Sequence, residues 1–255
     1  MPTRPPALSP KHSSGHVPVA VVTGAGSGVG RACALRLCAA GWRVALVGRR
    51  STALQQTIAA AGRGSRARLT FHPCDIADSA AVAAMAAAVL RRWPRVDALI
   101  NAAGTNVPRR LLRELSAADY HRLIATNLHG AYHCLQAFLP AMRRARAGTV
   151  VNIISDAGLL ANAKAGAAYV ASKFALTGLT QSVNLEEGPR GIRACAIFPG
   201  DINTPLLQHR PVPPPAAVRR RMLQPEDVAE CVWLALSLPP RAVVEQLLVR
   251  PLARH

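Results

Sequence analysis

Tyr169 and Lys173 lie four residues apart in an apolar stretch, a spacing that on a helix projects both side chains from one face. The chain has only three tyrosines, and its lysines are Lys11, Lys164 and Lys173. In such a composition this pairing would arise by chance about 0.04 times. A free phenol titrates at about pH 10 and is a poor acid–base group near neutrality; an adjacent ammonium favours the phenolate and draws it toward the working range. Lys173 supplies that charge. Ser155, just beyond an apolar strand-like run, offers a hydroxyl able to hold a substrate carbonyl. Asn127, in Thr126-Asn127-Leu128, sits mid-helix, where asparagine is unfavourable unless its amide has a task such as holding a water. The bland alternatives are a tyrosine packed by its ring, a lysine reaching for solvent and a surface asparagine.

A second chemistry is written in Thr23-Gly24-Ala25-Gly26-Ser27-Gly28-Val29-Gly30, between a β-branched run and the start of a helix. Glycine permits the tight turn and removes side chains that would hold a pyrophosphate away, and the free amides of the helix N-terminus face the anion. Cofactor choice turns on the end of the next strand. An acidic residue there would accept hydrogen bonds from a ribose 2′-hydroxyl; Gly48, Arg49 and Arg50 stand there instead. Arginine binds a phosphate through paired, charge-assisted hydrogen bonds, so Arg49 points to NADP(H) rather than NAD(H), although a solvated surface arginine is the competing reading. Asp75, with Ile76 beside it, is placed on the adenine side; an aspartate in a loop is otherwise a turn former or helix cap.

These residues need a scaffold, and the pattern supplies one. Strands are expected at residues 18–23, 43–47, 69–74, 96–101, 149–154, 193–198 and 246–249. Helices are expected at 28–40, 51–61, 79–93, from Ser116 onward, at 165–186 and from Pro225. Pro140 is expected to bend or end the Ser116 helix. Apolar strands alternating with helices imply an α/β fold, a Rossmann-like doubly wound parallel sheet with helices on both faces. Residues 1–17 read as a flexible basic tail and 18–255 as a single domain. Six cysteines without a CxxC pair suggest neither a disulfide framework nor a zinc site. No run is long and apolar enough for a membrane span, and the N-terminus lacks a hydrophobic signal core, so a cytoplasmic location is expected. The net charge of +18 should attract polyanions non-specifically. The arginines are scattered, however, with Arg219-Arg220-Arg221 the one run of three and few aromatics nearby, which argues against a nucleic-acid-binding function.

Taken together, the motifs from about Pro18 to Pro251 resemble those of the short-chain dehydrogenase/reductase family, in its shorter single-domain branch. Gly24, Gly26, Ser27, Gly28, Val29 and Gly30 match its glycine loop. Asn101-Ala102-Ala103-Gly104 matches the segment lining the adenosine side, with Ile100 where many members carry a first asparagine. Asn127, Ser155, Tyr169 and Lys173 match its catalytic tetrad, Ser155 standing fourteen residues before Tyr169 rather than the usual thirteen. Pro199, Gly200 and Thr204, with the backbone near Ile202, match the segment that holds the nicotinamide carboxamide. The resemblance implies hydride exchange between NADP(H) and a small carbonyl or secondary alcohol, with no metal. In it Tyr169 carries the proton, Ser155 orients the oxygen, Lys173 bonds the nicotinamide ribose, and Asn127 holds a water linking Lys173 to solvent. It also implies a homodimer or homotetramer, although the tail Val243 to Pro251 lacks the glycine end of many tetrameric members. Residues 204–224 are expected to form a substrate lid, with His209, Arg210 and Arg219 able to attract an anion, and Leu159, Leu160 and Asn162 the facing wall. A sensor binding a dinucleotide without chemistry would be expected to lose the tyrosine or lysine; both are present.

Overall fold

In the computed structural model, which describes residues 15–252, the apolar runs become seven strands: β1 (Val19–Thr23), β2 (Arg43–Gly48), β3 (Leu69–Pro73), β4 (Ala98–Asn101), β5 (Gly148–Ile153), β6 (Ile192–Pro199) and β7 (Gln246–Val249). All pair in parallel in one sheet of order β3-β2-β1-β4-β5-β6-β7. The inner strands β1 and β4 are buried along their whole length, while the edges β3 and β7 alternate with solvent. Parallel strands require crossovers, and the right-handed connection places helices on both faces.

The helices are α1 (Gly28–Ala39), α2 (Ser51–Ala60), α3 (Ser79–Arg92), α4 (Ala117–Ile124), α5 (Gly130–Ala145), α6 (Ala167–Glu187), the single turn α7 (Ala216–Arg219) and α8 (Pro225–Ser237). One core layer packs Leu37 of α1, Leu54 of α2 and Val232 of α8 on Leu46 and Ile100; the other packs Val89 of α3 and Phe138 and Met142 of α5 on Leu99 and Val150. Each of these larger side chains, fully buried, contributes roughly 1.5–3 kcal/mol by transfer. Five of the six cysteines are buried and the sixth half-buried, all with free thiols, as small apolar fillers.

The Ser116 helix departs from expectation. Pro140 does not end it: α5 continues to Ala145. Pro140 and Gln136 lie on the exposed face, so the carbonyl that the missing N–H leaves unpaired is on the solvent side of the helix. The interruption comes earlier, as a π-turn over Ala125–His129 that contains Asn127. At the other end of the chain, residues 1–14 of the expected tail lie outside the described residues. Next to them, His16 stands 2.9 Å from the Asp97 carboxylate, which also accepts the Val19 amide.

Candidate active site

The strand order reverses beside β1 and β4, and the loops leaving the C-terminal ends of the strands diverge there into a cleft, the usual place for a ligand in an open parallel sheet. The cleft is a cavity of about 770 Å³ running from the glycine loop and Arg49 and Arg50 to Tyr169 and the segment after β6.

The glycine-loop end is built from main chain. Gly24 has φ +67, and a Cβ there would lie 2.9 Å from the backbone of Ala103, so no side chain fits between this loop and the one after β4. The Thr23 hydroxyl accepts the amides of Ala102 and Ala103, each at 3.1 Å, and locks the two loops together. Ser27 caps α1 without a side-chain hydrogen bond to its first turn, which leaves the helix N-terminus suited to an anion. Arg31, which the sequence gave no reason to single out, donates to the Gly26 carbonyl at 2.6 Å and to Thr57 at 3.1 Å, bracing the loop from behind. Gly24, Gly26, Ser27, Gly28, Val29, Arg49, Asp75, Ile76, Ala102 and Gly104 all line the cavity. Arg49 and Arg50 are exposed at its rim. Asp75 accepts the Ala77 amide at 3.1 Å, a turn-forming contact.

Two expected cofactor residues stand off the cavity wall. Gly30 packs under Gly24, where a Cβ would meet the Gly24 carbonyl oxygen at 2.4 Å. Asn101 is buried, and its amide donates to Asn152 at 2.9 Å, which donates to Thr180 at 2.8 Å. Being the last residue of β4, it points its side chain along the sheet toward β5 and α6, whereas the loop after it faces the cleft.

At the other end, Tyr169 and Lys173 both face the cavity from the first two turns of α6, Lys173 with its Nζ 5.5 Å from the centroid of the Tyr169 ring. Lys173 is buried and donates to the Ile153 carbonyl at 3.1 Å; burial brings its pKa down to about 8. Tyr169 does not become more acidic. Burial pushes its pKa up to about 12, outweighing the opposing pull of the Ser155 hydroxyl hydrogen-bonded to it and of the Arg110 and Arg210 guanidiniums. The cationic influence expected from Lys173 thus comes from two arginines, and desolvation exceeds it. Ser155 also accepts the Ala157 amide at 3.2 Å.

Asn127 is buried rather than superficial and lies beneath the cavity wall instead of on it. Its carboxamide clamps the Thr105 peptide, accepting the amide at 2.8 Å and donating to the carbonyl at 3.0 Å, and donates to Ser172 at 3.2 Å. Gly104 lies over it, its would-be Cβ 3.6 Å from the Asn127 oxygen and 3.8 Å from Lys173 Nζ.

Pro199, Gly200, Ile202 and Thr204 line the cavity after β6. Of the expected lid arginines, Arg210 lines it and Arg219 is tied to Asn203 at 2.8 Å. His209 is exposed and outside it, as is Leu159, whereas Leu160 and Asn162 line it. Three lining cations escaped sequence reasoning: Arg110, Lys164 and Arg250. No motif marks them, and in a chain with this many arginines only tertiary position separates them from the surface.

The short chain dehydrogenase family model matches residues 18–212, and the chain belongs to that family of oxidoreductases. It is 33% identical over 228 residues to short chain dehydrogenase/reductase astE of Aspergillus oryzae, an alignment covering 85% of this chain and 87% of that protein. Among solved structures, the alcohol dehydrogenase of the archaeon Thermococcus sibiricus complexed with 5-hydroxy-NADP aligns with TM-score 0.83 and 28% identity, over 94% of this chain and 99% of that one. A metagenomic short-chain oxidoreductase in complex with NADP aligns with TM-score 0.78 and 34% identity, over 92% and 98%. Among the described residues no helix is long and apolar enough to cross a membrane.

Proposed function

We propose that the chain is an NADP(H)-dependent reductase or dehydrogenase of a small carbonyl and secondary-alcohol pair, with Tyr169, Ser155, Lys173 and Asn127 as its catalytic group. The observation carrying this reading is the single cavity that joins a glycine loop flanked by two arginines to a cluster of half-buried Tyr169 and Ser155 with buried Lys173. A dinucleotide fits that cavity on the chain's own terms: side chains are excluded by backbone contact at Gly24, an anion-suited helix end opens at Ser27, and cations stand at the rim. The loop from Gly24 to Val29 would hold the pyrophosphate and Arg49 the 2′-phosphate. Asp75, Ile76, Ala102 and Gly104 would hold the adenosine, and Lys173, Pro199, Gly200, Ile202 and Thr204 the nicotinamide end. When bound, the cofactor exchanges a hydride with the carbonyl carbon.

The protein's part is position and proton control. A phenol with pKa about 12 keeps its proton at neutral pH, so Tyr169 holds the proton that the carbonyl oxygen takes up on reduction; on oxidation it must first lose that proton to solvent, and its phenolate then accepts the proton of the alcohol. Ser155 fixes that oxygen beside the phenol. Lys173, whose pKa is about 8, is an ammonium at pH 7. It would bond the nicotinamide ribose, while the Arg110 and Arg210 guanidiniums stabilise the negative charge that grows on the phenol oxygen as the proton leaves. Asn127 holds the loop over Lys173, and a water on it is the natural link to solvent. Residues 18–255 act as one domain with a lid over 204–224, in a homo-oligomer in the cytoplasm.

The test is titration with NADPH and, separately, NADH, followed by nicotinamide fluorescence at fixed moderate salt. NADPH is expected to bind more tightly, and Arg49→Ala to erase most of the difference. Binding of neither cofactor would overturn the reading.

A further inference from the structure

Besides Lys173, which lies under the nicotinamide end, four cations line the substrate end of the cavity, Arg110, Lys164, Arg210 and Arg250, against two carboxylates, Asp156 and Asp201. Three of the cations are matched: Lys164 and Arg210 both bond to Asp201, and Arg250 stands 3.4 Å from Asp156. Arg110 is different. It is 6% exposed, and none of the ion pairs among the described residues includes it. Its guanidinium donates to three carbonyls, Val107 at 2.7 Å, Lys164 at 3.1 Å and His209. A guanidinium carries five N–H groups, so roughly two donors remain.

The position of Arg110 is built rather than incidental. It lines the main cavity and also an adjoining one of about 460 Å³, so it forms the wall between them. Gly166, three residues before Tyr169, has φ +84, and a Cβ there would lie 2.5 Å from Arg110 Cβ and 2.7 Å from its carbonyl oxygen. Glycine is required where the Arg110 loop crosses the entrance to α6. The Arg110 charge also reaches the reacting phenol, since it and Arg210 both act on the Tyr169 proton.

Taking the site as the reductase read above, we propose that its substrate is an oxo acid, or the hydroxy acid of the reverse reaction, whose carboxylate is held by Arg110 with Arg210 nearby. Two remaining donors match the two oxygens of a carboxylate, which guanidinium binds in a bidentate pair. The carbonyl then lies at Tyr169 and Ser155, which line the same cavity as Arg110. Oxidised and reduced partners are those already given; the new element is the anion that completes the charge of Arg110.

The test compares NADPH oxidation by the full chain with short 2-, 3- and 4-oxo acids and with their methyl esters, the series itself varying the distance from carboxylate to carbonyl. A phosphorylated ketone, dihydroxyacetone phosphate, forms a third arm. For at least one acid kcat/KM should exceed that of its ester by about tenfold or more, the value of one charge-assisted bond. In Arg110→Met that ratio should collapse, mainly through KM for the acid. If Arg110→Met folds poorly, the wild-type ratio still decides. Esters reduced as well as their acids, or preference for the phosphorylated ketone, overturns the oxo-acid proposal and leaves the reductase reading standing. Cofactor binding without reduction of any ketone overturns both.

Discussion

The two ends of the cavity are made of different material. At the glycine loop itself the wall is main chain, held by backbone contact at Gly24 and by the Thr23 hydroxyl, with side chains such as Arg49 and Arg50 kept to the rim. Around Tyr169 the walls are charged side chains from four separate loops, tied to one another by Asp201, Asp156 and the carbonyls that receive Arg110. On the reading proposed above, the first end binds the cofactor that every turnover uses, and its backbone contacts leave little room for a side chain at Gly24. On the same reading the second end recognises the substrate, and it is held by side-chain ion pairs and hydrogen bonds rather than by backbone packing.

The contrast is tested most severely at the boundary. Tyr169→Phe should lower turnover by about 10²–10⁴-fold while NADPH affinity, measured by fluorescence titration, stays within about threefold; unchanged turnover would remove the tyrosine from the chemistry. At the main-chain end, Gly24→Ala should weaken NADPH by about tenfold or more and lower the melting temperature by several degrees, since a displaced loop costs about 1–3 kcal/mol, or about 2–4 °C per kcal/mol at this size. A variant with wild-type melting and affinity would show that the loop tolerates a side chain after all.

Lys173 gives a smaller effect with a definite sign. Its folded-state pKa of about 8 lies below the ordinary 10.5, so between those values the unfolded chain binds a proton the folded chain has released. Stability therefore rises with pH across that window, and the buried ammonium is unfavourable at pH 7. Urea unfolding at pH 7.5 and 10 should show wild type gaining on Lys173→Met; a constant difference would refute the burial argument. Smallest of all is Asp201→Asn. Its ion pairs with Lys164 and Arg210 are partly solvated, so the melting temperature should move by less than about 3 °C. KM for the ketone should rise several-fold as Arg210 loses its tether, and equal sensitivity at both ends would dissolve the contrast.

Much of this was legible in the sequence because it follows from local rules. The seven strands come from short apolar runs, α1 from the glycine loop ahead of it, and the Tyr169–Lys173 pair from helical spacing. What stayed hidden depends on distance along the chain. Arg110 takes its meaning from carbonyls at positions 164 and 209, and Arg31 from Thr57 and the loop it braces. The π-turn at Asn127 has no composition signal, and Pro140, the conspicuous breaker nearby, fell on the exposed face of α5. Asn101 looked like a cleft residue because the loop after it is one; the alternation of a strand turns its side chain the other way.

The chain leaves the sheet region after Ile202 and returns at Leu223, and these two residues are bridged side by side. The Asn203 amide reaches the Leu223 carbonyl at 2.8 Å and the Leu223 amide the Asp201 carbonyl at 3.0 Å, closing the gap. Everything between them is a cassette with a fixed doorway. In the history of a gene, such a segment can lengthen, shorten or be exchanged without altering the spacing of a single strand. On the proposed reading, residues beyond Thr204 in that segment can be exchanged to reshape the substrate end while Arg49 and the glycine loop stay where they are.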